Sequence, residues 1–458
     1  MRTYEEFARE AAGKSDNEKA IWCRNAIESF KATPEYKAAA DGEAYYNKHN
    51  ITMEKYQRFL YTMTGKQVPD LISANYKLKS TIFRRLVTQQ VQYVLGNGVT
   101  FENEETKERL GDRFDFTLQK AAKRAMAEGQ AFGFWNIDHL EVFAYADTKY
   151  DAGFMPLYHS ETGELMAGVR FWIRTVNNKK IIRMTVYEAD GYTDYSVTGD
   201  EVTIINPKRG YIATEKKTEA GGVEDIVYDN YGVLPIIPLF VNDSGESELI
   251  GIRENIDCYD FIKSGLANEI DDTSGIYWII KNAGGMDDVD MAGFLQRLKT
   301  VHASNVSGDD TEVQAHTVDI PVQARQTMLE ILRADIYEDF QALDVKTLSA
   351  AAKTTQEIQA AYQSQDNKCA DFEYYIIDFI QRILAIVGID DNPTFTWNRV
   401  VNQAEQTNMV LAAANYLTDD VIIKHLPFLT PEEALNVISE RDGEDMNRFG
   451  GEETGDEE

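Results

Sequence analysis

One stretch of the chain constrains the fold more than any other, because its apolar positions recur at alternating steps of four and three residues without a break. The series is Ile358, Tyr362, Gln365, Cys369, Phe372, Ile376, Phe379, Ile383 and Ile386. It predicts a helix of about 30 residues, which is about 45 Å long. Ordinary globular helices are shorter. The stripe therefore favours a bundle seam or a contact between subunits, and we expect Phe372, Ile376, Phe379 and Ile383 to form a subunit interface.

Charge is the second constraint. The 458 residues include 46 Lys and Arg against 76 Asp and Glu, a formal net charge of −30. A hydrophobic fraction of 43% supplies enough apolar material for real cores, so the composition excludes wholesale disorder. The acidity argues against a protein that grips nucleic acid over its outer surface, since phosphate binding requires clustered cations. It permits a protein that lets DNA slide past without sticking.

Cysteine usage and hydropathy indicate the compartment. Cys23, Cys258 and Cys369 are far apart and form no CxxC pair, which favours a reducing compartment over a disulfide framework. The N-terminus is charged and has no apolar signal region. The most hydrophobic helical stretch, residues 374–389, is interrupted by charges and is shorter than the roughly 20 residues that cross a bilayer. We therefore expect no membrane association.

The first half of the chain changes from a helical to a β pattern. Residues 1–135 read mostly as helices, and a strong helical pattern between residues 71 and 95 stops at Gly96-Asn97-Gly98. From about residue 134 to 241, short β-branched and aromatic runs alternate with turn signals such as Asn177-Asn178. This pattern predicts an antiparallel β region that Pro235 and Pro238 close.

The second half reads as two amphipathic helices around a small insert. A helix over residues 246–270 precedes an α/β insert, and Pro321 starts the second helix. A loop of small residues at 347–352 leads into the long helix. Short helices follow, one of which starts at a capping box of Thr430 and Glu433. The acidic C-terminal tail, residues 443–458, is predicted to be disordered.

The sequence contains only weak matches to catalytic, phosphate-binding or metal-binding motifs. Gly13-Lys14-Ser15 looks like the end of a phosphate-binding loop but lacks the earlier glycine and a preceding strand. His302 and His316 read as solvated strand residues, and Asp287, Asp288 and Asp290 read as a capped helix start rather than an ion site. We predict no catalytic residue, no metal and no cofactor.

Four segments in order carry a family resemblance. These are the helix end at residues 87–99 (VTQQVQYVLGNGV), the segment 127–133 (AEGQAFG), the start of the long helix at 353–358 (KTTQEI) and Trp397-Asn398-Arg399 before short C-terminal helices. Together with the order of elements, they resemble the portal proteins of tailed bacteriophages. The resemblance covers about residues 40 to 440. The loop at 347–352 is less glycine-rich than this family leads us to expect.

The resemblance implies an α+β, predominantly helical subunit. Its parts are an N-terminal helical and β-rich wing (1–245), a first stem helix (246–275), an α/β clip (276–321), a second stem helix (322–345), a tunnel loop (346–354), a long wing helix (355–392), a helical crown (393–442) and a disordered acidic tail (443–458).

It also implies a function without catalysis. We expect a homo-oligomeric ring, a dodecamer, at one capsid vertex of the virion, assembled in the host cytoplasm. Double-stranded DNA would be packaged and ejected through its channel without sequence specificity. The implied partners are the terminase large subunit, a head–tail adaptor protein, and the major capsid and scaffolding proteins.

Candidate site residues follow from this arrangement. The channel candidates in the tunnel loop and stem are Lys346, Thr347, Leu348, Ser349, Lys353, Lys263 and Arg325. The candidate partner anchors in the clip are Trp278 and Phe294, which could equally be core residues of the insert.

Two alternatives remain open. One is an acidic multidomain hydrolase that uses two unrecognised carboxylates, since the chain is rich in dispersed acids. The other is a different virion head-completion component.

Overall fold

The computed structural model describes residues 2–61, 65–70, 73–217, 223–273, 277–281, 312–316, 321–346, 355–398, 407, 410–413, 416–426, 429–430 and 433–441. The chain forms two compact units. Unit 1 contains residues 1–47, 81–251 and 337–458, and unit 2 contains residues 48–80 and 252–336. Residues 48–80, which the sequence groups with the N-terminal wing, therefore belong to the unit of the two amphipathic helices.

The helices are α1 (Tyr4–Phe7), α2 (Asp16–Ala32), α3 (Pro34–Tyr46), α4 (Ile51–Lys55), α5 (Ile82–Leu95), α6 (Glu104–Leu110), α7 (Phe114–Glu128), α8 (Arg253–Thr273), α9 (Val322–Asp339), α10 (Thr355–Val387) and α11 (Asp419–Lys424), with a π-helical turn at Ala8–Ala12. The strands are β1 (Phe59–Tyr61), β2 (Gln67–Pro69), β3 (Val99–Thr100), β4 (Gln130–Asn136), β5 (His139–Ala144), β6 (Ala146–Asp147), β7 (Ala152–Tyr158), β8 (Leu165–Val176), β9 (Lys179–Glu188), β10 (Gly191–Thr198), β11 (Glu201–Arg209), β12 (Ile212–Lys217), β13 (Val223–Asp229), β14 (Ile236–Phe240), β15 (Tyr277–Lys281), β16 (Glu312–His316) and β17 (Thr394–Phe395).

The largest sheet of unit 1 is an antiparallel meander in the order β11-β10-β9-β8-β7-β6. Asn177 and Asn178 link β8 to β9 with φ values of 50° and 59°, the left-handed backbone that a tight hairpin turn requires and asparagine tolerates. Buried residues alternate with half-buried ones along β10, so one face of that strand meets the core. Helix α2 covers the core, where the Phe30 ring packs edge-on against Tyr145 and Phe171.

A second sheet of unit 1 has the order β14-β4-β5. Pro238 lies within β14, the last strand before α8, and pairs with Phe132 of β4. Strand β14 is at the edge of its sheet, where a residue without an N–H group breaks no ladder hydrogen bond on its open side.

Helix α10 packs against β14 and α5 within unit 1. A Cβ atom on Gly133 of β4 would lie 2.4 Å from Cζ of Phe379 on α10. Glycine at position 133 therefore lets the aromatic ring lie directly on the sheet backbone. The capping box of the last predicted helix is present, because the Thr430 N–H donates to Glu433 and the Glu433 N–H donates to Thr430 Oγ1.

The helix predicted between residues 71 and 95 begins later, at Ile82. Residues 76–80 are extended because side chains of α8 take their N–H groups. Tyr76 N–H donates to Asn268 Oδ1 at 2.6 Å, and Leu78 N–H donates to Ser264 Oγ at 2.9 Å. A helix over these residues would need the same N–H groups for its own backbone.

Candidate functional site

Helix α8 of unit 2 buries a polar stripe at four-residue spacing. Asp260, Ser264 and Asn268 are 0%, 3% and 7% exposed. Asp260 accepts hydrogen bonds from Ser80 N–H at 2.9 Å and from Asn50 Nδ2 at 3.0 Å. Buried polar groups are tolerated when they are paired. The stripe fixes the extended segment and the start of α4 to this helix.

Burial raises the pKa of the Asp260 carboxyl above its ordinary value, although the hydrogen bonds from Asn50 and Ser80 oppose this shift. The pairing makes Asp260 a structural residue of unit 2. Its two carboxylate oxygens are used by groups of the same unit.

The same unit leaves large apolar side chains in solvent. Phe261 and Ile270 of α8 are 49% and 56% exposed, and Met328 and Ile331 of α9 are 40% and 49% exposed. Scattered exposed apolar residues are common on monomers. Here they occur on both amphipathic helices, which makes the exposed apolar side chains of α8 and α9 candidate contacts with another protein.

A groove of about 400 Å³ lies beside two of these side chains, Phe261 of α8 and Met328 of α9. The Phe261 ring meets Tyr56 edge-on at 5.2 Å between centroids. The polar side of the groove includes Arg58 and the ion pair between Arg325 and Glu269. The groove therefore combines apolar side chains with charged ones, as protein contacts do.

The two channel candidates in the helices differ in their environment. Arg325 donates to Glu269 Oε1 at 2.5 Å, so its charge is compensated within unit 2. Lys263 is exposed and lies over the Tyr259 ring at 6.0 Å from its centroid. Lys263 is therefore better placed than Arg325 to meet a passing anion.

The structure describes only one of the channel candidates in the predicted tunnel loop, Lys346. Lys346 is exposed, and its N–H donates to Asp344 Oδ1 at 3.1 Å. Thr347, Leu348, Ser349 and Lys353 lie outside the described residues.

Within the predicted α/β insert, the structure describes the two strands β15 and β16. Strand β15 pairs antiparallel with β16, and Trp278 faces Ala315 in the register. Phe294 and the acidic run at 287–290 lie outside the described residues, as does most of the segment 282–311.

The predicted subunit interface on the long helix is wrong for the four residues named. Phe372 is 2% exposed, and Ile376, Phe379 and Ile383 are 0% exposed. They pack inside unit 1, against elements such as β4 and α5. The stripe is satisfied by the chain's own sheet, which the sequence pattern could not distinguish from a second subunit.

The buried polar stripe of α8 was not predicted from the sequence. The spacing of Asp260, Ser264 and Asn268 at steps of four was the available signal. A stripe of short side chains that can accept hydrogen bonds fits a helix that binds another backbone.

No group of three or more His, Cys, Asp or Glu residues in the described part of the chain is arranged to hold a metal ion. Within that same part of the chain, every helix is too short or too polar to span a membrane.

Comparison with known families gives a match over most of the chain. The family model described as phage portal protein, SPP1 Gp6-like, matches residues 33–448. The chain is also similar to two curated proteins that are both called portal protein. One is from Clostridium phage phiCD119, with 23% identity over 414 residues, covering 85% of this chain and 88% of the relative. The other is from Bacillus phage SPP1, with 25% identity over 439 residues, covering 89% and 83%.

Solved structures of gene transfer agent particles are also similar. The neck of an empty particle, computed with C6 symmetry, gives a TM-score of 0.44 at 9% identity and covers 77% of this chain and 91% of that chain. The neck of a native particle, computed with C12 symmetry, gives a TM-score of 0.38 at 10% identity and covers 76% and 88%.

Proposed function

The chain belongs to the SPP1 Gp6-like family of phage portal proteins, and from this premise we propose that about twelve copies form a ring through which double-stranded DNA enters and leaves the capsid. Portal proteins are structural components of the phage virion. The ring would occupy one capsid vertex. Energy for packaging would come from the terminase, whose large subunit would dock on the ring before the head–tail adaptor does.

The observation that carries the proposal is the exposed apolar surface of unit 2. Two helices, α8 and α9, present Phe261, Ile270, Met328 and Ile331 to solvent in a chain with a net charge of −30. Side-by-side packing of identical subunits around a ring axis would bury such stripes. We therefore assign α8 and α9 as the stem helices and their apolar surface as the contact between neighbouring subunits.

The charge supports the role in DNA passage. A duplex must move through the ring, so tight phosphate contacts would stall it. An acidic lining repels phosphates on average, and isolated cations such as Lys263 would contact DNA transiently. Because Arg325 is paired with Glu269, we give it a smaller part in these contacts.

The remaining assignments follow the family. We assign residues 276–321 as the clip, which would meet the terminase and the adaptor, and Trp278 and Phe294 as its candidate anchors. Residues 346–354 would form the tunnel loop, and residues 393–442 the crown. Capsid and scaffolding proteins would surround the ring in the virion.

Native mass tests the proposal. A ring of about twelve 51.9-kDa subunits has a mass of about 620 kDa and shows a central hole in negative-stain images. A double variant, Met328→Ser with Ile331→Ser, should lower the ring fraction at equal protein concentration by about tenfold or more, because it removes apolar contact area on α9.

The control is Tyr150→Ser in unit 1, where a more exposed aromatic side chain is removed. This control should assemble as the wild type does. Rings that persist unchanged in the double variant would contradict the assignment of α9 to the subunit contact. A wild-type protein that stays monomeric at every concentration, and also when incubated with scaffolding protein, would contradict the ring itself.

A further inference from the structure

The turn that follows α9, residues 340–343, has two backbone hydrogen bonds to the end of that helix, from Gln341 N–H to the Glu338 oxygen and from Ala342 N–H to the Tyr337 oxygen. Side chains of two other helices bind it as well. Gln89 Nε2 of α5 donates to the Leu343 carbonyl oxygen at 2.9 Å, and Gln90 Nε2 donates to that of Gln341 at 3.2 Å. From α10, Gln365 Oε1 accepts the Leu343 N–H at 3.2 Å. Two helices of unit 1 thus bind the backbone of this turn through amide side chains.

Two of these amide side chains are buried, where a polar group without a hydrogen-bond partner would destabilise the fold. Gln90 is 0% exposed and Gln365 is 1% exposed. The Cys369 thiol donates to Gln90 Oε1 at 2.7 Å, so the oxygen of this amide is hydrogen-bonded as well as its nitrogen. A buried amide without partners destabilises a fold. Because these contacts are made to backbone atoms, they depend on the path of the turn and not on its side chains.

The backbone of the turn also has a special conformation. Gln341 has a φ of +59°, in the left-handed region that non-glycine residues adopt infrequently. The Lys368 ammonium donates to the Phe340 carbonyl oxygen at 2.9 Å and lies over the Phe340 ring. The surrounding helices therefore fix the conformation of the turn, as a strained backbone requires.

Burial changes over a few residues here. Phe340 and Leu343 are buried, whereas Val345, two residues later, is 64% exposed. The Lys346 N–H donates to Asp344 Oδ1 at 3.1 Å. Leu343 is thus a buried residue, held by Gln89 and Gln365, four residues before position 347.

We propose that Gln90 and Gln365 are positioning residues that fix the 340–343 turn between α5 and α10, and thereby set the point from which the chain enters the tunnel loop. This inference deepens the proposed function and rests on it for the role of the loop. The side chains act on the loop through the turn, and they contact neither DNA nor a partner. The two residues come from different parts of the sequence: Gln90 lies on α5, 251 positions from Gln341, and Gln365 lies in the N-terminal part of α10.

Hydrogen exchange of the assembled protein tests the positioning role. In the variant Gln365→Leu the Leu343 N–H loses its acceptor while a side chain of similar size fills the site. We expect the 340–343 amides to exchange about tenfold faster or more than in the wild type, with α10 and β4 amides unchanged. Gln90→Leu should act in the same direction through the freed Gln341 carbonyl.

The matched control is Gln92→Leu on the same helix, since Gln92 Nε2 donates to Gln119 rather than to the turn. This control should leave exchange at 340–343 unchanged. Equal exchange at 340–343 in the wild type and in both the Gln365→Leu and Gln90→Leu variants would overturn the inference. If the leucine variants fail to assemble, Gln365→Glu, which keeps an acceptor for the Leu343 N–H, should restore slower exchange at that amide.

DNA retention separates this inference from the proposed function. Heads packaged with the Gln365→Leu ring should retain at least about threefold less full-length DNA, while ring mass stays that of the wild type. Faster exchange with normal DNA retention would overturn the link between the turn and the loop but keep the ring. A wild-type chain that supports neither rings nor packaging would refute the proposed function and leave the exchange result standing.

Discussion

Asp391 shows how one carboxylate joins segments that are far apart in the sequence. It follows α10 and accepts hydrogen bonds from Thr106 Oγ1 at 2.6 Å, from Glu102 N–H at 3.1 Å and from Asn103 N–H at 3.2 Å. Burial tends to raise the pKa of Asp391, but these hydrogen bonds outweigh it and the pKa is lowered. The ionised form is therefore the one that stabilises this junction of unit 1.

The variant Asp391→Asn should be less stable at neutral pH. A carboxyl whose pKa is lowered in the folded protein stabilises it above the unfolded pKa of about 3.9, and this contribution is lost as the pH falls through the folded pKa. The difference in unfolding free energy between wild type and variant should therefore shrink below about pH 4. Urea unfolding at several pH values measures it.

The neighbouring exposed residue provides the control, because Asp390→Asn removes a charge of the same kind from the same loop. Its effect should be small and should vary little with pH. An Asp391→Asn variant with a pH-independent difference would mean that the ionised carboxylate is not the stabilising species.

At the scale of elements, α8 buries polar residues and leaves a large apolar residue in solvent. The stripe of Asp260, Ser264 and Asn268 is buried against the extended segment 76–80, and Phe261 is exposed. An exposed Phe261 is understandable if the helix has a second, external neighbour. The helix would then pair with backbone on one side and with another subunit on the other.

Ser264→Ala should destabilise unit 2 by about 1–2 kcal/mol, because the Leu78 N–H loses its buried acceptor. Protease cleavage within residues 73–81 should become faster, since the segment is attached through such bonds. Lys263→Ala, one residue away and exposed, is the control and should change stability by less than about 0.5 kcal/mol. Equal behaviour of both variants would show that the polar stripe does not hold the segment.

At the scale of the whole molecule, net charge opposes the assembly that the apolar surface favours. Each subunit carries −30, so neighbours in a ring repel one another through solvent. The screening length falls from about 10 Å at 0.1 M salt to about 3 Å at 1 M salt. Apolar contacts persist under these conditions, whereas repulsion weakens.

Raising the NaCl concentration from about 0.1 M to about 1 M should therefore increase the ring fraction at a fixed subunit concentration. Sedimentation velocity at both concentrations measures the fraction directly. Dissociation of the ring at the higher salt would show instead that ion pairs hold the subunits together. The proposed contact of Lys263 with DNA should weaken at the higher salt, because phosphate contacts weaken with salt.

The element types were largely predictable because period and turn chemistry are local properties. The strands on either side of Asn177-Asn178 and the long helix were expected, and the structure has β8, β9 and α10 there. The start of α5 was not predictable, since Ser264 and Asn268 lie about 190 residues away and take the N–H groups that a longer helix would use.

The helices that form the candidate site were predictable from the sequence, but which of their apolar side chains are exposed was not. The stripe of Phe372 and Phe379 indicated a partner, and the partner is the chain's own sheet. Exposed Phe261 and Ile331 had to be observed, because a sequence pattern shows that a side chain is apolar and not what covers it.

The sequence by itself determined the long helix, the hairpins of the large sheet, the acidity and the match to the portal family. The helix and the hairpins depend on periodicity and turn residues, which act over a few residues, and the acidity depends on total composition. The tertiary structure alone decided which stripes are satisfied within the chain and how buried amides hold the 340–343 turn. Such contacts join residues as far apart as Gln90 and Gln341, and their energy depends on burial that only the packed fold creates.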